Sequence, residues 1–336
     1  MSGTKGIGRL DALGFAKEAT RGTAISAATY WVPFNDLGFD EKFENAVKDQ
    51  AFGVIENSVG QSRVKNWAEG TFKVPMIDQS IGLLFLSLFG AQASATHSGE
   101  TTVFDHTFTV GESAQHQSLT FFVHDPTGGT DYSYANGVIH KMEIDAEVKK
   151  FVEISLSAKS FKGAAQSAFT PALLTENYFI AQYLTFKYAT TVSGLSGATA
   201  IALRNIKISI DEDVEDQDVL GSNSPADFLN KEFKVSGTLE AIFQNLTDFK
   251  SVSIATPNVP QAMQIAIVNT DVNIGVVPSH PSVIITLDQV YFTELAIKRT
   301  PKDIVYQTLK FEGTYSTTNS EMIKIVLTNT VSGAYA

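Results

Sequence analysis

Apolar residues recur at every second position along most of this chain. Leu37 and Phe39 alternate with Asp36, Gly38 and Asp40. Met142, Ile144, Ala146 and Val148 alternate with Glu143, Asp145 and Glu147. After Lys149–Lys150 the alternation resumes at Val152, Ile154, Leu156 and Ala158. A period of two puts the apolar side chains on one face of a strand. The second passage therefore predicts an antiparallel hairpin with one buried and one wet face. Val103–Val110 and Ser118–Val123 predict two more strands around a turn at Gly111–Gln117, and Asp125–Gly137 is dense in turn formers. Glu41–Glu69 reads as a long polar excursion from the sheet and Gln92–Glu100 as a loop. One stretch, Thr71–Ala91, breaks the strand pattern. A short strand, Thr71–Val74, and Pro75 precede Ile77, Ile81, Leu84, Phe85 and Leu88, spaced as one face of a helix. Asp78 is the expected N-cap and Gly90 the expected stop.

The pattern recurs. Leu13–Thr20 (LGFAKEAT) matches Leu184–Thr191 (LTFKYATT), and Asp36–Glu44 matches Lys207–Glu215, both 171 residues apart. Thr71–Val74 (TFKV) matches Glu232–Val235 (EFKV) at a separation of 161, which places ten extra residues in the first copy before the strand–helix unit. Leu239, Ile242, Phe243 and Leu246 echo the helical stripe, predicting a second helix within Leu239–Phe249. Ser118–Val123 corresponds to Ala262–Val268, and the hairpin around Ile139–Ala158 to Val283–Thr314, turning at Thr300–Asp303. Several matches in one order indicate an internal duplication. The expected domains are residues 1–170 and 177–336, with 162–176, rich in Gly, Ala, Ser and Pro, as the linker.

A length of 336 residues accommodates two such domains, and 43% hydrophobic residues exceed what a disordered chain carries. There are no cysteines, which excludes disulfides, thiol catalysis and Cys-ligated zinc. The first twenty residues hold no apolar signal-peptide core, and Ile81–Phe89 is much shorter than the roughly 20 residues a spanning helix needs. The expectation is a soluble protein made in the cytoplasm, with no membrane partner. The net charge is −11, and the densest charge run, Asp211–Asp218 (DEDVEDQD), is acidic. No basic patch is present of the kind that neutralises nucleic-acid phosphates.

Catalytic and metal signatures are missing. None of the six histidines forms an HxxxH or HExxH pair, and the Asp211–Asp218 run lacks the spacing and glycine of an EF-hand loop. Gly6 and Gly8 are not followed by the rest of a dinucleotide fingerprint, and no P-loop or nucleophile elbow occurs. No catalytic residue, cofactor site or metal site is expected. Tyr132 and Tyr134 in the Gly-rich turn leave a carbohydrate-binding or adhesive β-sandwich as an alternative.

The stretch Leu13–Phe39 resembles the tail-tube proteins of long-tailed bacteriophages. Gly14, Glu18, Gly22, Thr23 and Ala24 stand in the order of that family's opening pattern. The passage Thr71–Ala91 and the C-terminal strand MIKIVLTNTVSGAYA add to the likeness. The resemblance implies a mainly β protein, here two tandem β-sandwich or half-barrel tube domains, each with one flanking helix. It implies a non-contractile, siphovirus-type major tail protein, assembled in the host cytoplasm, whose rings stack into the tube that conducts DNA. Six domains per ring and two per chain would make a homotrimer with pseudo-sixfold symmetry, the alternative being a homohexamer. The implied partners are further copies of the chain, the tape measure, the terminator and the distal tail protein, with DNA passing unbound. Glu143, Asp145 and Glu147 become candidates to line the lumen. Asp211, Glu212, Asp213, Glu215, Asp216 and Asp218 become candidates for contact with the adjacent ring, as does the excursion Glu41–Glu69. A ring-forming adaptor or a secretion-machine tube protein would share these features.

Overall fold

The computed structural model describes residues 5–242, 246–254, 258–299, 301 and 304–335. Its first half runs β1 (Ala12–Lys17), β2 (Tyr30–Val32), β3 (Asp36–Val47), β4 (Gln61–Pro75), α1 (Ile81–Phe89), β5 (Gly90–Thr96), β6 (Phe104–Val110), β7 (Leu119–His124), β8 (Asp131–Glu147), β9 (Glu153–Ser160) and β10 (Ala164–Gln166). The second half runs β11 (Leu184–Ala189), β12 (Leu203–Gln217), β13 (Asp227–Ile242), α2 (Leu246–Ser253), β14 (Gln261–Val268), β15 (Ser282–Lys298), β16 (Tyr306–Thr314) and β17 (Ile323–Asn329). The protein is mainly β, a large sheet that does not close into a barrel, consistent with a β-sandwich.

One antiparallel layer runs unbroken through both halves in the order β3-β4-β9-β8-β12-β13-β16-β15. The long strands β8 and β15 also belong to other groups of strands. The first part of β8 lies in β2-β1-β7-β8-β10, and the first part of β15 in β11-β14-β15-β17-β6-β5. Each strand carries an extra residue, at His140 and at Thr293, where it changes neighbours. Such a bulge bends a strand and increases its twist.

The pairings of the two halves run in step. In the first half β3-β4-β9-β8 leads on to β7-β1; in the second β12-β13-β16-β15 leads on to β14-β11. Leu13 faces Val123 and Leu184 faces Ile267. Phe15 faces Tyr30 and Phe186 faces Ile201, again 171 residues apart. The counterpart of TFKV is displaced, however. Asp36 faces Lys73, and Lys207 faces Thr238, so by partner the first hairpin is six residues longer, not ten, and EFKV lies further along its strand.

Several local expectations need correction. Helix α1 starts at Ile81, not near Asp78, because the Asp78 carboxylate is engaged elsewhere: it accepts from Asn177 N and Nδ2 at 2.8 and 2.7 Å. Glu176 instead holds the turn that leads into the helix, accepting from Gln79 N at 2.8 Å and from the Ser80 hydroxyl. Ile77 forms a bridge with Tyr178. Gly90 ends the helix in the left-handed region, φ 80°, as its position predicts. Of the second stripe, Leu239 and Ile242 belong to β13, and α2 begins at Leu246; Phe243 lies outside the described residues. In β13 the pairing with β12 and β16 outweighs a helical spacing of only four residues. The expected excursion Glu41–Glu69 is largely strand, as is Gln92–Thr96, and most of the acidic run, Asp211–Gln217, is the end of β12. Polar residues on both faces hide a two-stranded ribbon from a periodicity reading. The predicted turn Thr300–Asp303 falls mostly outside the described residues, with only Pro301 described.

The core explains why α1 is apolar all round. Its nine residues are all buried, since it is in contact with β1, β5, β6 and β8. The Tyr335 ring closes another side at Gly82, where a Cβ would come within 2.1 Å of it. The Tyr335 hydroxyl donates to Gln79 O at 2.7 Å. The stretch 162–176 is also held: Phe169 packs on Trp31 and Phe122 at centroid distances of 6.1 and 5.2 Å.

Candidate assembly surface

The continuous layer offers a wet face, two open edges and two ribbons. On β8, Met142, Ile144 and Ala146 point into the core, so alternation turns Lys141, Glu143, Asp145 and Glu147 to the solvent face. On that face Glu143 sits where the halves meet. It takes Lys141 at 3.0 Å from its own strand and Lys207 at 2.7 Å from β12. The lysines hold its carboxyl below the ordinary glutamate range. Glu147 pairs with Lys150 at 2.5 Å, and on the second half Lys310 pairs with Glu294 at 2.6 Å. Ser155, Ser157, Ser209, Ser236 and Thr238 stand between these charges at the same alternation. The face thus mixes ion pairs, hydroxyls and single charges: Glu143 and Glu147 are paired with lysines, while Asp145 and Lys73 stand exposed.

The open edges are those of β3 and β15. Among the described residues β3 pairs only with β4. Strand β15 pairs with β14 as far as Val290; past that point its described pairing is with β16, on the opposite edge. In the first half the corresponding edge of β8 is filled by β12, with Ile206, Ile208 and Ile210 facing Ala146, Ile144 and Met142.

The two ribbons differ. The β12–β13 ribbon is tied to the first half. Lys65 holds Asp216 and Asp218, both at 2.8 Å, Lys159 holds Asp216 at 2.8 Å, and Asn66 N donates to Asn223 O at 2.7 Å. Arg21 donates to Asp227 at 2.7 Å and to the carbonyls of His116 and Phe228 at 2.5 and 2.6 Å. Asp227 also accepts from Asn136 and Gln115, at 3.0 and 2.5 Å. Burial would raise the pKa of Asp227 and of Asp216, but these donors and cations hold both below the usual carboxylate range.

Glu212 is 2% exposed and lies 3.0 Å from Nδ1 of His116. That nitrogen is also 2.9 Å from Leu88 O, and Nε2 is 2.8 Å from Gly111 O. With an acceptor at each ring nitrogen, the imidazolium is the form that fits. Burial disfavours it, but the carboxylate and the carbonyls raise the His116 pKa above its usual value, while burial raises that of Glu212. Of the six acids read as inter-ring candidates, Glu212 and Asp216 are therefore buried or bridged within the chain. Asp218 pairs with Lys65, Asp213 and Glu215 share Lys231 at 3.3 and 3.4 Å, and Asp211 remains on the wet face. Sequence reading missed Arg21, Lys65, His116 and Asp227, because the most distant partner of each lies 96 to 207 residues away. The helix residues Ile81, Leu84, Phe85 and Leu88 are core, as is Ile77.

Among the described residues no group of three or more His, Cys, Asp or Glu could hold a metal ion, and no helix is long and apolar enough to cross a membrane. A mainly β protein with open edges on a layer wetted on one face leaves backbone groups free to pair with further strands. The chain belongs to the phage tail tube protein family, whose model matches residues 8–315. No curated protein matches the chain. It is a structural tail-tube protein, a component of the virion tail that assembles with itself into a tube and associates with other tail proteins.

Proposed function

We propose that the chain carries two tube domains, residues 1–170 and 177–336, and that three chains close one ring with pseudo-sixfold symmetry. The observation that carries this is the junction between halves. Strand β12 fills the edge of β8, and the edges left over, β3 and the end of β15, are the same two kinds of edge. In the ring, β3 of one chain adds to β15 of the next between Glu294 and Lys298, as β12 adds to β8. Leu37 and Phe39 then continue the apolar row that Ile208 and Ile210 form at the internal junction. Closure removes both exposed edges.

The wet face of the layer lines the lumen. Glu143 and Glu294 hold Lys141, Lys207 and Lys310 in ion pairs, which weakens the pull of those lysines on DNA phosphates. Glu143, Asp145 and Glu147 belong to that wall, Glu143 and Glu147 as partners of lysines and Asp145 as an exposed carboxylate. The subunit performs no catalysis, its tail is of the non-contractile siphovirus type, and it assembles in the host cytoplasm with the tape measure, terminator and distal tail proteins. Negative-stain electron microscopy with symmetry averaging tests the ring. Three-fold averages of hollow rings or tubes are expected; six-fold rings of whole chains would overturn the two-domain reading, and a monomer at high concentration the closure.

A further inference from the structure

The geometry points to an amine-binding site at the β12–β13 ribbon, in which Glu212 and Asn230 take the ammonium group of an alkylamine. The site goes beyond the tube reading and does not depend on the symmetry of the ring. Glu212 lies on β12 and Asn230 on β13, where the ribbon meets the turn between β6 and β7. Both line a cavity of about 270 Å³, together with Gly111, Ser113, Lys231 and Phe233. His116 also lines it and takes up one oxygen of Glu212, Oε1 at 3.0 Å. The other oxygen, Oε2, is buried and accepts no hydrogen bond among the described residues, in a side chain only 2% exposed. Asn230 is buried at both Oδ1 and Nδ2, and neither atom has a partner among the described residues. Its backbone N–H is already committed, donating to Ala114 O at 2.8 Å. Buried polar atoms are almost always paired, so three orphaned ones on the side chains of a single cavity call for an occupant.

The occupant has to donate. A carboxylate oxygen and an amide oxygen call for N–H groups, and an ammonium carries three donors and no acceptor. The surrounding charge agrees. Lys231 is held by Asp213 and Glu215 at 3.3 and 3.4 Å, and Glu232 by Lys234 at 2.7 Å, while Glu112 stands exposed in the cavity wall. The buried carboxylate opposes an anion. For a metal ion the described residues gather no group of three or more His, Cys, Asp or Glu. The alkyl part has a track of its own. A groove of about 480 Å³ shares Val110, Glu112 and Phe233 with the cavity and continues to Tyr315, Met322 and Ile323. A methylene stem laid on these side chains, with its charged head at Glu212, uses apolar surface as a lysine does. The cavity is walled by the β12–β13 ribbon and by the β6–β7 turn, so a bound amine ties the second half to the first.

The test is isothermal titration calorimetry of the unassembled chain with butylamine at neutral pH, with tetramethylammonium as a cation that cannot donate. Butylamine is expected to bind and to raise the melting temperature; tetramethylammonium is expected to do neither. The Asn230 side chain makes no hydrogen bond among the described residues, so Asn230→Ala leaves the fold intact. It is expected to weaken butylamine about tenfold, the worth of a hydrogen bond to a charged group. Glu212→Gln is expected to abolish binding. Circular dichroism shows whether that variant folds without its His116 pair, and Asn230→Ala carries the test if it does not. Equal binding by tubes and by the unassembled chain assigns the site to a free amine. Binding by the unassembled chain alone assigns it to a lysine side chain that another subunit supplies on assembly. No binding of butylamine, equal binding of tetramethylammonium, or undiminished binding by Asn230→Ala overturns the site, leaves the orphaned atoms to ordered water, and does not touch the tube reading.

Discussion

Arg21 is the side chain whose removal tests the lock between halves. It is 19% exposed in its side chain and Asp227 11%, at 2.7 Å, so the pair is largely withdrawn from water. Two unit charges about 4 Å apart attract by about 4 kcal/mol at an effective dielectric near 20. Much of that offsets desolvation, but removing one partner leaves the other buried and unpaired, at a cost of about 3–5 kcal/mol. Arg21→Met also strips a charged donor from the carbonyls of His116 and Phe228. Asn136, Gln115 and the Phe228 N–H still donate to Asp227, which softens the loss. The net expectation is destabilisation by about 3 kcal/mol, read as a lower urea midpoint. Arg21→Met/Asp227→Asn is expected to recover part of it, since the buried charge is then gone from both sides. A change below about 0.5 kcal/mol, the range of ordinary surface substitutions, or a double variant no better than Arg21→Met, would refute the assignment of a buried, coupled pair.

Gly82→Ala places a methyl against the Tyr335 ring, 2.1 Å from its nearest carbon. Displacing that ring is expected to cost about 3 kcal/mol, the low end for losing a buried aromatic side chain, and to make the C-terminal segment sensitive to limited proteolysis. Gly70→Ala is expected to lower the melting temperature and disturb the β3–β4 ribbon, since its Cβ would lie 2.1 Å from the Gly38 carbonyl oxygen. Stability is expected to fall on both sides of neutrality. The raised His116 and Glu212 pKa values contribute stability that is full below the unfolded values, near 6.5 for histidine, and is lost as pH rises through the folded ones. The lowered Asp216 and Asp227 values contribute stability present above about pH 3.9 and lost as pH falls through the folded values. Melting curves of His116→Gln should lose the histidine's share of the alkaline limb and keep the acid one.

The sequence alone determined whatever depends on near neighbours. Alternation at Met142–Ala158 defined the β8–β9 hairpin, the spacing Ile81–Leu88 together with Gly90 defined α1 and its end, and matches 171 apart indicated a repeated plan. Those signals are local because burial acts on one face of a short segment at a time. Tertiary structure alone decided that Leu239 and Ile242 are strand, because β12 and β16 offer both edges of β13 a partner. It alone showed that Glu143 is neutralised by a lysine from the other half and that the acidic run is largely tied to Lys65, Lys159, Lys231 and His116. Charge in a sequence reports only its sign. Whether it faces a lumen, a partner or a buried cation depends on which distant strand the chain lays beside it, and no local period records that.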